Sequence, residues 1–275
     1  IEAQLRVAAQ NLKRATDNLD KIKDEQFNTV DGTQNINPNH SVSGPKMTWV
    51  YIVDAGVSEQ DSFVGYMSKY PTTNAQFAQY LNDALNSGNI AVDGNFIKGT
   101  SGPHKGQNFY QLDGQGKNYN KAKKGGTSRI KYIDGTFTVE RGFDDHPVTF
   151  VSWYGAVAFA DYYGWRLPTE WEWQAVADYD GSYIYACGLK INNTKANYYG
   201  SHHPEGTTSV GQFGTYGYDI ADMTGNVWEW TNSLLSPDSS QFIVRGGGWG
   251  SRGHHCTVSN RTNYAFPYLT HFYYG

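Results

Sequence analysis

Charge is scarce in this sequence. Asp, Glu, Lys and Arg make up 17% of its 275 residues, against about 25% in an ordinary soluble domain. The 22 basic residues are outnumbered by 26 acidic ones, for a formal net charge of -4. Binding to nucleic acid relies on a basic excess that neutralises phosphates, so that class of partner is excluded. Long apolar runs are missing too: none approaches the roughly 20 residues of a membrane span. The two cysteines, Cys187 and Cys256, form no CxxC pair, which excludes a zinc knuckle and a disulfide framework. Rings are abundant instead, with 21 Tyr, 13 Phe and 8 Trp beside 31 Gly. So many large side chains require a buried core, and the length is ample to build one.

A second absence is local. Lys, Glu, Gln, Met and Trp together number 46 in residues 1–249, yet none occurs in the last 26 residues, GSRGHHCTVSNRTNYAFPYLTHFYYG. These five are the amino acids that a codon of the form NNC cannot encode. An asparagine AAC codon randomised at its two adenines yields every type except them. The missing set is therefore the mark of a mutational process, and residues 250–275 form a distinct segment.

Along the chain, Leu5, Ala8, Leu12, Ala15, Leu19 and Ile22 place one narrow apolar stripe on a helix over residues 1–26. The turn-rich run DGTQNINPNHSVSGP (31–45) reads as a linker. Two parts are expected: an amphipathic helix and linker over 1–40, and a domain over 41–275. Within the domain, MTWVYIV (47–53) reads as a strand. TTNAQFAQYLNDAL (72–85) reads as a helix capped by Thr73 or Asn74. Residues 86–128 read as a surface excursion, and YIDGTFTVE (132–140) carries an Asp-Gly turn. HPVTFVSW (146–153) reads as an apolar strand ending on Ser152, the N-cap of a helix that closes at Gly164. Thr169 and Glu172 form a capping box for the next helix. No period of 20 to 50 residues is present, which excludes solenoids and propellers.

Three motifs in order, HPVTFVSWYGAVAFADYYGWRLPTEWEWQAVA, GYDIADMTGNVWEWT and VRGGGW, resemble the formylglycine-generating enzyme family. The resemblance covers about residues 47–275. It implies an α+β domain of C-type lectin-like fold, formylglycine-generating enzyme subtype, with two helices, small sheets and much irregular loop. It also implies, for catalytic members, two cysteines five residues apart after the Gly-rich motif that carry copper-dependent oxidation of a substrate cysteine. Here those positions hold Ser251 and Cys256. One thiol cannot supply the paired soft ligands that Cu(I) favours, so the chain is expected not to be an enzyme. An oxidase using Cys256 alone is the alternative. Asn226 and Glu229 match a segment that binds calcium in relatives. Calcium is thus the one cofactor to weigh, and none is expected to be required. A second family calcium site is replaced here by Gly211 and Gln212.

VRGGGW followed by CTVSNRTNYAFP further resembles the variable proteins of diversity-generating retroelements, in which a C-terminal segment on this fold is rewritten at template adenines. Cys256, Asn260, Arg261 and Pro267 look fixed among scrambled positions. The resemblance implies a non-enzymatic ligand-binding surface built from Ser251, His254, His255, Thr262, Tyr264, Phe266, Tyr268, Thr270, His271, Phe272, Tyr273 and Tyr274. Tyrosine, serine and histidine suit such a surface, because Tyr joins a large contact area to few rotatable bonds and a polar tip. The competing reading makes AFPYLTHFYYG a core strand. Phe272, Tyr273 and Tyr274 are consecutive, however, so at least one ring must leave any single buried face. The expected partner is a protein or another surface ligand, the expected state a monomer, and the expected location a bacterial cell surface or the medium. Any signal or lipid-anchor segment lies outside this chain.

Overall fold

The computed structural model describes residues 44–54, 62–113, 126–199, 201, 206–271 and 274–275. The helix expected over 1–26, the linker up to residue 43, and Phe272 and Tyr273 lie outside the described residues. Among the described residues, three α-helices and ten short strands make an α+β architecture. The helices are α1 (Asn74–Asn86), α2 (Trp153–Tyr162) and α3 (Glu170–Asp178). Strands β1 (Trp49–Asp54) and β2 (Phe63–Ser68) form an antiparallel pair, as do β6 (Ile130–Ile133) and β7 (Thr136–Val139). Strands β3 (Ile90–Asp93), β4 (Phe96–Gly99) and β5 (Asn108–Gln111) make one three-stranded sheet. The other, in order β10-β9-β8, contains β8 (Glu229–Leu234), β9 (Phe242–Arg245) and β10 (Tyr264–Ala265).

Local chemistry sets the helix starts. Thr73 caps α1 by accepting from the Gln76 amide, and the Gln76 side chain returns a bond to the Thr73 N–H. Thr169 and Glu172 repeat that capping box on α3. Ser152 caps α2 through the Gly155 N–H at 3.1 Å. The Asp134-Gly135 pair turns β6 into β7 with both residues at positive φ, the geometry a two-residue hairpin favours.

Two sequence expectations are corrected. Residues 146–153 are not a strand; only isolated bridges, Thr73 with Pro147 and Tyr110 with Val151, involve them. Pro147 has no N–H to give a ladder, and Phe150 sits at φ 63, a left-handed turn that ends any extended run. The segment satisfies its backbone irregularly instead, as with Val148 N–H donating to the Thr72 carbonyl. Residues 86–128 are also more than an excursion, because 90–111 hold the whole β3–β5 sheet. Ile90, Ile97, Phe109 and Tyr110 from this stretch are at most 3% exposed.

The core has three neighbouring parts. The largest joins Phe77, Tyr80 and Leu81 of α1 to Phe159 and Tyr163 at α2 and to the β3–β5 sheet. A second surrounds Trp173 of α3 with Ile52, Phe63, Ile220, Met223 and Val258. The third stacks Trp153, Trp228, Trp230 and Val244 behind Ala265 of β10. The C-terminal segment thus lies directly over two of the three.

Helix α2 approaches β5 so closely that a Cβ on Gly155 would overlap the Phe109 carbonyl. Alanine at a helical glycine ordinarily gains up to ~1 kcal/mol. Here the sign reverses: Gly155→Ala is expected to destabilise the protein by about 2 kcal/mol, measured by equilibrium denaturation.

Candidate functional site

The site begins at the end of β9. Arg245 is fully buried. Its guanidinium donates to the Asn260 carbonyl at 2.6 Å, the Val258 carbonyl at 2.8 Å and Gln174 Oε1 at 2.6 Å. It also lies 5.0 Å from the Trp173 ring centroid. Burial lowers its pKa to about 10, so it remains a cation at neutral pH. After it, Gly246 and Gly247 turn the chain at φ 89 and 81. A Cβ on Gly247 would overlap the Cys256 thiol, so the glycine turn packs directly on that cysteine. Cys256 is 1% exposed, and burial, with Cys187 nearby, pushes its thiol up to about 12. It is a protonated thiol at neutral pH, where the thiolate is the form that reacts or binds metal.

Beyond Cys256 the residues that look fixed in the sequence face inward or lock the backbone. Asn260 accepts from the Thr262 N–H and hydroxyl at 3.1 Å each. Arg261 pairs with Glu170 through two 2.6 Å bonds and lies over the Trp171 ring. Ala265 and Pro267 are buried. The residues between them face solvent: Tyr264 is 44%, Phe266 36% and Tyr268 55% exposed, and the Phe266 and Tyr268 rings stack with centroids 5.4 Å apart. His254 and Thr262 are exposed as well, and His255 is half-buried.

The remaining expected surface residues are placed differently. Ser251 Oγ accepts the Gly248 N–H at 3.0 Å and so braces the glycine turn. Thr270 bonds Gln111 of β5 at 2.8 Å. His271 is half-buried, and burial lowers its pKa. Tyr274 packs edge-on against Trp230 and bridges Trp228. The exposed face is thus His254, Thr262, Tyr264, Phe266 and Tyr268, with Leu269 at 38% exposure as a member that sequence reasoning missed. Also missed were Ile184 and Tyr199, 51% and 62% exposed. Their loops dock beside the segment, with Val258 N–H donating to the Ile184 carbonyl and Tyr199 N–H to the Ser251 carbonyl. Nothing local in the sequence marks them.

Each of the two candidate calcium residues has a hydrogen-bond partner within the scaffold. The Asn226 amide is spent on the Thr208 N–H and carbonyl. Glu229 accepts the Trp173 indole N–H at 2.5 Å. Burial, reinforced by Asp222, pushes its carboxyl up to about 8. An amide committed to the main chain and a carboxyl bonded to an indole leave few free side-chain oxygens for a hard cation. Among the described residues no group of three or more His, Cys, Asp or Glu could hold a metal ion.

A carboxyl with a raised folded pKa binds its proton more tightly folded than unfolded. Its contribution to stability is full below the ordinary glutamate range and is lost as pH rises toward 8. Asp222, raised to about 6 by burial, acts the same way over a lower window. Stability is therefore expected to fall between pH 6 and 8 chiefly through Glu229. Glu229→Gln should flatten that slope in denaturation curves recorded across the range.

The model of the sulfatase-modifying factor enzyme 1-like domain matches residues 57–268. Among curated relatives, the serine/threonine-protein kinase pkn1 of Chlamydia caviae is 34% identical over 68% of this chain and 28% of its own length. The inactive C-alpha-formylglycine-generating enzyme 2 of Bos taurus is 32% identical over 42% of this chain and 44% of its own. The formylglycine-generating enzyme of Mycobacterium tuberculosis is 38% identical over 34% and 35%. The chain thus spans less than half the length of each. Among solved structures, CarF aligns with a TM-score of 0.54 at 18% identity, covering 83% of this chain and 93% of CarF. Treponema denticola variable protein 1 aligns with a TM-score of 0.52 at 16% identity over 86% and 95%. These likenesses give the C-type lectin-like fold, and the match over residues 57–268 gives the family: the chain belongs to the sulfatase-modifying factor enzyme 1-like domain family.

Proposed function

We propose that this protein is a non-enzymatic ligand-binding protein whose C-terminal segment, 250–275, is a binding face diversified by a retroelement. The observation that carries the reading is the sorting of that segment. Residues with the look of fixed positions, Cys256, Asn260, Arg261 and Pro267, are buried or bonded into the scaffold. Of those with the look of rewritten positions, Ser251, Thr270 and Tyr274 are drawn toward the scaffold, while Tyr264, Phe266 and Tyr268 turn their rings to solvent. A segment can be rewritten without unfolding the domain only if change is confined to such positions, because surface substitutions ordinarily alter stability by less than ~0.5 kcal/mol. The fold shared with Treponema denticola variable protein 1 is consistent with this reading. The ligand is a protein or other surface molecule, and the setting a bacterial cell surface or the surrounding medium. No cofactor is needed by a surface of this kind.

Catalytic relatives exist, so the chemistry of the thiol matters. Ser251 stands where the first cysteine of such members is placed, and its hydroxyl is engaged by Gly248. Cys256 is buried and protonated. Together they offer at most one thiol, not the paired soft ligands that Cu(I) favours.

The reading is tested by a library in which His254, Thr262, Tyr264, Phe266 and Tyr268 are randomised with NNC codons. Most clones should keep the parental melting temperature, and binders to a chosen protein target should be recoverable from the library. Widespread unfolding would sink the idea, as would gene codons at these five positions that do not end in C. In parallel, titration with Cu(I) against a chromogenic chelator should show no stoichiometric uptake by the wild type. Uptake that Cys256→Ser removes would return the oxidase reading.

A further inference from the structure

A cavity of about 520 Å³ lies apart from the C-terminal face, between β2, the 164–168 loop, α3 and β8. That volume is within the range of small-molecule sites. Its lining is unusual in composition. Met47, Met67 and Met223, the only three methionines of the chain, all border it, together with Trp49, Trp165, Trp173 and Trp230 from the eight tryptophans. Methionine is flexible and polarisable, and it adapts to ligands of irregular shape. Val64, Tyr66 and Arg166 line the cavity and are also exposed, which places its mouth between β2 and the loop preceding α3.

One carboxyl stands in this apolar wall. Glu229 lines the cavity; its Oε2 takes the Trp173 indole N–H at 2.5 Å, and its Oε1 has no hydrogen-bond partner among the described residues. That oxygen is not among the enclosed polar atoms that lack a partner, so it is open to the cavity and can bond a ligand hydroxyl. We propose that this cavity is a second ligand site, independent of the C-terminal face, that takes a small, mostly apolar molecule, aromatic or branched aliphatic, bearing one hydroxyl group bound at Glu229.

The test uses the full chain and two probes, 2-naphthol and naphthalene, followed by titration calorimetry and by the emission of the lining tryptophans. Saturable binding of 2-naphthol is expected, roughly three- to ten-fold tighter than naphthalene, as one net hydrogen bond allows. Ala156→Leu and Ala221→Leu, each placing bulk at a lining position, should weaken 2-naphthol at least several-fold while the variants keep cooperative melting. Tyr268→Ala should leave it unchanged. No saturable binding, equal affinity for the two probes, or retained binding in every folded cavity-filling variant would overturn the proposal. Loss of binding in Tyr268→Ala would overturn it as well, by relocating the probe to the C-terminal face. If one leucine variant fails to fold, the other carries the comparison.

Discussion

The buried guanidinium of Arg245 is the interaction on which the rest of the C-terminal architecture depends. It joins three things: the α3 helix through Gln174 and the Trp173 face, the end of β9 on which it stands, and the carbonyls of Val258 and Asn260. A buried charge is tolerable only while its partners stay in place, and removing one side of such an arrangement typically costs about 3–5 kcal/mol. The choice of acceptor has a further effect. Backbone carbonyls are the same whatever side chain follows them, so the clamp holds the segment without reading its sequence. The Arg261–Glu170 pair, by contrast, depends on a side chain within the segment, and Arg261 is among the positions that look fixed.

The same division runs through the glycine turn. Gly246 and Gly247 are at positive φ, and the second leaves room for the Cys256 thiol. Asn226, itself at φ 64, accepts the Trp249 N–H on its carbonyl, while the Gly225 N–H donates to Gly246. The two loops that carry the strongest sequence motifs are therefore knitted to each other by main-chain bonds. Between them runs a strip anchored at both ends: by Cys256 and the turn at one side, by the pairing of Ala265 in β10 with β9 and the Trp228–Tyr274 bridge at the other. Anchoring limits the conformational entropy that a rigid aromatic surface must lose on binding.

Much of this was legible because it is local. The cap at Thr73 or Asn74, the capping box at Thr169, the Ser152 cap and the Asp134-Gly135 turn are decided within four residues. The order of the three motifs carried the fold, and the missing amino acids marked the segment. Illegible features depend on distant partners. Phe150 turns left-handed where Val148 bonds Thr72 and Phe150 itself bonds His271, none of which periodicity can reveal. The β3–β4 hairpin had a readable signal, an Asp-Gly pair after Ile90 and Val92, that the glycine- and asparagine-rich surroundings obscured. Ser251, Thr270 and Tyr274 carry the composition of the exposed face but are drawn inward by Gly248, Gln111 and Trp230. Composition reports how a position is encoded, not which way it points.

That distinction also separates the two ligand sites. Among the described residues, the cavity takes only Gly275 from residues 250–275; every other wall belongs to the scaffold. If the C-terminal segment is rewritten as proposed, the methionine and tryptophan walls stay outside the change, and the proposed cavity site keeps the same chemistry in every variant of the face. Trp173 receives the Arg245 cation on its ring and gives its indole N–H to Glu229, so one buried side chain touches both the clamp of the C-terminal segment and the polar point of the cavity.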